Sequence, residues 1–287
     1  MVGVDPQPEA AQVPAGYLPY VPPPPPPPVD PRRRRLLIGL SAAWALVLLV
    51  GGVWYALDGR PTVREQTTIQ QAQATVDRAI TQVVQAARPV AVPAITGYDQ
   101  VEPCDITPVR AGARYDREAW LATPPGTEPA LLDRIAHALP AGYGTTVTKP
   151  SAPKPARLVA DAGDYVALTG VVDRPGLVMV SAATGCRPVG QRPVTDPTAS
   201  PAPADRAPLD RALTAFDVTP VHWSTHRLPC GLTTIEADGG ARPAGPLPAP
   251  SAGQPLVRRD DVYAEKSGLL VRVEGDHAVV SLTTGAC

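Results

Sequence analysis

The chain has 287 residues, with 26 basic against 27 acidic side chains and a formal net charge of −1. That balance excludes a general nucleic-acid binder, which needs a basic face, and the length excludes a large multidomain enzyme. Proline stands out at 38 residues and glycine adds 24, whereas aromatics are only 5%. With no Asn and Arg far ahead of Lys, part of this reads as GC-rich coding bias rather than function.

Residues 1–31 carry 12 prolines, including the unbroken run Pro22 to Pro28. Such a segment buries too little apolar surface to offset its ordering entropy, so residues 1–35 are expected to be a disordered, proline-rich cytoplasmic tail that ends in an arginine cluster. Arg32 to Arg35 are followed by Leu36 to Leu57 without a charged residue. As a helix that stretch would span roughly 33 Å, enough for a hydrocarbon core of about 30 Å. Trp54 and Tyr55 lie near its far end, where amphipathic rings favour the membrane interface.

A cleaved signal peptide would have a shorter apolar region and small residues at its end. The ending Trp54-Tyr55-Ala56-Leu57 does not suit cleavage, so the sequence predicts an uncleaved signal anchor over 36–57. With four arginines before the span and mixed charge after it, the positive-inside rule leaves the amino terminus inside and residues 58–287 outside. This is a single-pass protein of the cytoplasmic membrane, partnered by the bilayer through 36–57.

Beyond the anchor the chain resembles only itself. Val76-Asp77-Arg78-Ala79-Ile80-Thr81 recurs as Leu209-Asp210-Arg211-Ala212-Leu213-Thr214, and Pro103-Cys104-Asp105-Ile106-Thr107 as Pro229-Cys230-Gly231-Leu232-Thr233. Val180-Ser181-Ala182-Ala183-Thr184-Gly185-Cys186 is matched by Val280-Ser281-Leu282-Thr283-Thr284-Gly285-Ala286-Cys287. The common order of these matches predicts two related α+β domains, 58–188 and 205–287, joined by a Pro-rich linker at 189–204. Each is expected to have a helix packed on a small antiparallel sheet.

The first helix is read from Ile69, Ala72, Val76, Ile80, Val83 and Ala87 at three- and four-residue steps, with Asp77 among the residues off the stripe and Pro89 and Pro93 bounding it. A heptad reading of nearly the same stripe would allow a parallel dimer, and the oligomeric state stays open. Leu131 to Leu139 predict a further helix, and Leu209, Ala212, Leu213 and Phe216 a shorter one. Strands are expected at 104–111, 157–162, 165–172, 177–182, 230–237, 261–265, 269–273 and 278–282. Pro175-Gly176 and Gly275-Asp276 supply tight turns. The proline-rich stretches 145–156, 187–204 and 241–257 read as loops.

Four cysteines allow three pairings. The internal match selects early with late in each copy, Cys104–Cys186 and Cys230–Cys287, which an oxidising location permits. Each such loop contributes roughly 4 kcal/mol in the chain-entropy account. No close Cys/His cluster points to zinc, and the equivalent places of Cys186 and Cys287 point to a shared structural role rather than a reactive thiol.

Ser151-Ala152-Pro153-Lys154 fits S-x-x-K, with Lys266-Ser267-Gly268 as a faint K-T-G, but prolines deny the serine the helix that chemistry requires. His222 and His226 have helical ligand spacing, yet Pro220 and Pro229 favour a strand with His222, Ser224 and His226 on its exposed polar face. His137 reads as a helix-boundary residue, and Asp161, Asp164, Asp260 and Asp261 as turn acids. No nucleophile elbow, Walker loop or dinucleotide fingerprint occurs. No catalytic, metal-binding or cofactor-binding residue and no cofactor is therefore assigned.

The function expected from sequence is a membrane-anchored envelope protein with disulfide-stapled outer domains, for binding or scaffolding and not for catalysis. One alternative is a sensor coupling the outer domains to the tail, whose Tyr17-Leu18-Pro19-Tyr20-Val21 and proline run would dock a cytoplasmic partner. The other is an envelope hydrolase with carboxylates from both copies facing an inter-copy cleft.

Overall fold

The computed structural model describes residues 31–58, 67–151, 154–188, 201–241 and 255–287. The proline tail, most of the linker at 189–204 and most of the loop at 241–257 lie outside the described residues. The chain divides into a unit ending at Val53 and a second unit, Trp54–Cys287; each is taken by itself.

Helix α1 spans Pro31–Asp58, so the arginine quartet forms its first turns rather than preceding it. Its large apolar side chains, among them Leu36, Trp44, Leu49 and Trp54, are exposed. It is long and apolar enough to cross a membrane, where a helix satisfies its own backbone groups.

Helix α2 (Ile69–Ala87) opens the second unit. Thr68 Oγ accepts from the Gln71 amide at 3.3 Å, and Gln71 Oε1 accepts from the Thr68 amide at 2.9 Å. This reciprocal cap satisfies two otherwise orphaned donors. Ile69, Val76, Ile80 and Val83 are fully buried and share one cluster with Leu121, Leu131, Leu158, Leu168 and Val180.

The first sheet has seven strands: β1 (Val92–Ile95), β2 (Asp99–Thr107), β3 (Arg110–Ala122), β4 (Thr146–Thr148), β5 (Arg157–Asp161), β6 (Val166–Arg174) and β7 (Leu177–Thr184). Its order is β1-β3-β7-β6-β5-β4, with β2 also on β3. Helix α3 (Glu128–Ala138) lies between β3 and β4 and places Leu131, Leu132 and Ile135 in the same core. β6 and β7 meet at Pro175-Gly176, where Gly176 takes a φ of 88°.

The strand expected over 104–111 is a hairpin, since β2 ends at Thr107 and β3 begins at Arg110. Within the expected loop at 145–156, Thr146–Thr148 pair with Arg157–Val159, and Ser151 bridges Lys154. β1 and the long β3 were not anticipated.

The second sheet runs β10-β11-β12-β13-β9-β8. Its strands are β8 (His222–Arg227), β9 (Thr233–Ala241), β10 (Val257–Arg258), β11 (Val262–Ala264), β12 (Leu269–Glu274) and β13 (His277–Thr284), preceded by α4 (Pro203–Ala215). Leu209, Ala212, Leu213 and Phe216 cluster with Ile235, Val271, Val280 and Leu282. Successive strand residues face opposite ways, and the neighbours of these residues look toward the first sheet. Leu270, Val262 and Ala264 cluster there with Val92, Ala94, Ala122 and Leu177. Leu228 and Leu232, from the β8–β9 turn, are buried in the core of the first sheet.

Candidate functional site

Cys104 is bonded to Cys186 with a Cα separation of 6.0 Å, and Cys230 to Cys287 with 4.8 Å. Each bond ties one strand-hairpin region, at β2 or between β8 and β9, to a residue just past the closing strand of its sheet. A thiol held this way has no nucleophilic chemistry. Cys230 and Cys287 also pack on the first-sheet core, and Thr81 Oγ1 approaches Cys230 Sγ at 4.0 Å.

The seam between the sheets holds the strongest electrostatics. Arg272, in the middle of apolar β12, is 4% exposed. Its guanidinium donates to Glu236 Oε2 at 3.0 Å and also to Glu274, and it lies 5.0 Å from the ring centroid of Trp120 on β3. Burial disfavours its charge, but the two carboxylates outweigh this and raise its pKa. Glu118 and Asp116 on β3 are both raised from the usual carboxylate range, chiefly by burial. A second buried cation, Arg117, meets Asp77 of α2 at 2.7 Å and donates to the Arg227 carbonyl at 3.1 Å. Asp77 was expected off the apolar stripe; it turns inward because Arg117 requires a counter-charge.

Beside this seam lies a cleft of about 690 Å³. The end of α2 and the segment after it supply Arg88, Pro89, Val90 and Val92, and α3 supplies Leu131 and Arg134. Leu256 and the β11–β12 turn, Lys266-Ser267-Gly268, close the other side. Arg88 donates to the Gly285 carbonyl, and Arg134 Nε donates to the Ala86 carbonyl at 3.0 Å. Both guanidinium groups are thus oriented by neutral acceptors. Among the described residues, no carboxylate lines this cleft.

The structure scatters most of the residues singled out in the sequence. Ser151 and Lys154 pair through their backbones, far in the chain from a helix start, and Lys266 lines the cleft instead. His222 is exposed, but His226 is only 8% exposed and its Nε2 lies 2.8 Å from Ser224 Oγ. The expected polar face is therefore open at His222 and covered at His226, which lies opposite Thr234, whose hydroxyl accepts from the Ile95 amide of β1. His137 is exposed on α3 with Nδ1 at 2.6 Å from the Asp133 carbonyl. Asp161 accepts from the Gly163 amide, Asp164 from Thr75, and Asp261 lies 3.6 Å from Arg174. Among the described residues, no three His, Cys, Asp or Glu side chains gather as a metal-ligand group.

Sequence reasoning missed Arg88, Arg134, Trp120, Glu118, Glu236 and Arg272. Only Arg272 left a signal, as a lone charge inside the run Leu269 to Val273. Comparison of the chain with family models, curated proteins and solved structures finds no match.

Proposed function

We propose that this chain is a single-pass, membrane-anchored cell-envelope protein whose outer region, two related disulfide-stapled domains, serves binding or scaffolding. The observation that carries the reading is the succession of an arginine-led apolar helix and a unit closed by two disulfides. Disulfides persist in oxidising spaces, and the basic side of an anchor stays in the cytoplasm.

Relatedness of the two domains is supported by strand order. Read from β2, the first sheet runs β2-β3-β7-β6-β5-β4, and the second runs β8-β9-β13-β12-β11-β10. Each string is antiparallel throughout, each follows a helix, and each disulfide closes at the corresponding end. β1 and α3 are additions to the first copy.

Binding is favoured over hydrolysis by the fate of the seam carboxylates. Glu236 and Glu274 neutralise Arg272 instead of facing a cleft, and Glu118 lies beside them. A hydrolase needs its acids aimed at solvent-accessible substrate. The proline-rich tail is proposed to contact a cytoplasmic partner.

Topology decides the matter. Protease added to intact spheroplasts should remove the region after residue 58 and leave a small anchored fragment. Thiol-reactive polyethylene glycol should shift the denatured chain only after reduction. A protected carboxy-terminal region together with four reactive thiols would overturn the proposal.

A further inference from the structure

We infer that the cleft between α3 and the β11–β12 turn binds a phosphate monoester carried on an apolar body. This deepens the binding-module reading and rests on it for its biological setting.

Arg88, Arg134 and Lys266 converge on the cleft from three separate elements. All three are exposed, and among the described residues none is paired with a carboxylate. The neighbouring acids are not part of its lining. Glu128 accepts from the Gly126 and Gly176 amides, Glu265 accepts from the Tyr263 and Ser267 hydroxyls, and Asp133 lines a separate groove with Arg134 and His137. Three cations without a lining anion favour a doubly charged group over a single carboxylate. Guanidinium forks suit phosphate oxygens in particular.

The remaining wall is apolar, made by Pro89, Val90, Val92, Leu131 and Leu256. A volume of about 690 Å³ matches a small organic ligand rather than a bare ion. Arg88 and Arg134 are held in place by the Gly285 and Ala86 carbonyls, so little ordering remains to be done on binding.

The test is titration calorimetry on the full chain in neutral maltoside micelles, with phenyl phosphate and with water-soluble dibutyryl phosphatidate. Benzyl alcohol serves as the uncharged control. Saturable binding of either phosphate, weakened by added salt and absent for benzyl alcohol, is expected. Tighter phenyl phosphate binding identifies a soluble ester, and tighter phosphatidate binding a lipid headgroup. Arg134→Gln and Lys266→Gln should each weaken binding about tenfold, the loss of one charge-assisted contact. Lys266 has no structural bond among the described residues, so its variant keeps the fold and reports on binding alone.

Absence of saturable phosphate binding overturns the inference, as does binding that survives unchanged in the variant lacking all three cations. Either result leaves the topology reading intact. Conversely, a chain whose outer region proves internal could still bind phenyl phosphate, so the two proposals fail separately.

Discussion

Arg272 of β12 lies 5.0 Å from the ring of Trp120 on β3, a stacked pair that joins the two sheets. Because Glu236 and Glu274 also hold that guanidinium, Arg272 is the shared centre of the seam. Arg272→Ala should lose about 2–3 kcal/mol, since it leaves the partly buried Glu236, and to a lesser degree the more exposed Glu274, without a counter-charge. Arg272→Leu combined with Glu236→Leu should lose much less. Denaturant titration of both variants measures this, and equal losses would deny the seam its charge pairing.

Arg117 and Asp77 form the corresponding link between β3 and α2, with side chains 1% and 12% exposed. Asp77→Ala should destabilise by about 3 kcal/mol by removing a carboxylate from a buried guanidinium. Asp210, the residue matched to it in the internal sequence comparison, pairs with Arg206 one turn away and is 46% exposed. Asp210→Ala should cost no more than about 0.5 kcal/mol, the worth of an exposed helix pair. Comparable losses for the two variants would refute the distinction.

The pH dependence follows from Glu118. Its folded pKa is raised above the ordinary 4.5 by burial, so the protonated form is the one the fold favours. The associated stability is fully present below the ordinary value and is lost as pH rises through the raised one. Glu118→Gln should therefore raise the thermal midpoint at neutral pH, with the difference from wild type closing on acidification. A constant difference across that range would count against the assignment.

Gly268 adopts a φ of 100°, and an added Cβ would collide with the Thr283 carbonyl. Gly268→Ala should cost at least about 1–3 kcal/mol from the left-handed backbone, with the collision adding to it. Because Gly268 lines the cleft, the same variant should also impair phosphate binding. Unchanged stability would mean that the β11–β12 turn has another conformation in solution.

Serine in place of Cys104 and Cys186 should reduce stability by roughly 4 kcal/mol in the chain-entropy account. The midpoint of urea unfolding checks this directly. No change in the midpoint would show that the bond does not form.

The legible parts of this fold are those whose pattern is set by one face. α2 shows its buried stripe at every turn, and the Pro175-Gly176 and Gly275-Asp276 turns announce their hairpins. β3 was illegible because Arg114, Asp116, Arg117 and Glu118 interrupt its apolar alternation. Two of these charges serve distant partners, Asp77 in the core and the Arg272 seam, which no local pattern encodes. The Pro108-Val109 turn lacks glycine, so the β2–β3 hairpin read as one strand. The cleft was hidden for the same reason as the seam. Arg88 and Arg134 meet through the packing of α3 on α2, and Lys266 joins them only through the packing of one sheet against the other.

Leu228 and Leu232, from the later half of the chain, complete the hydrophobic core built on the first sheet. Synthesis runs from the amino end, so the apolar surface they cover stays open to water until the later strands arrive, and a nascent chain stalled between the halves would be prone to aggregate.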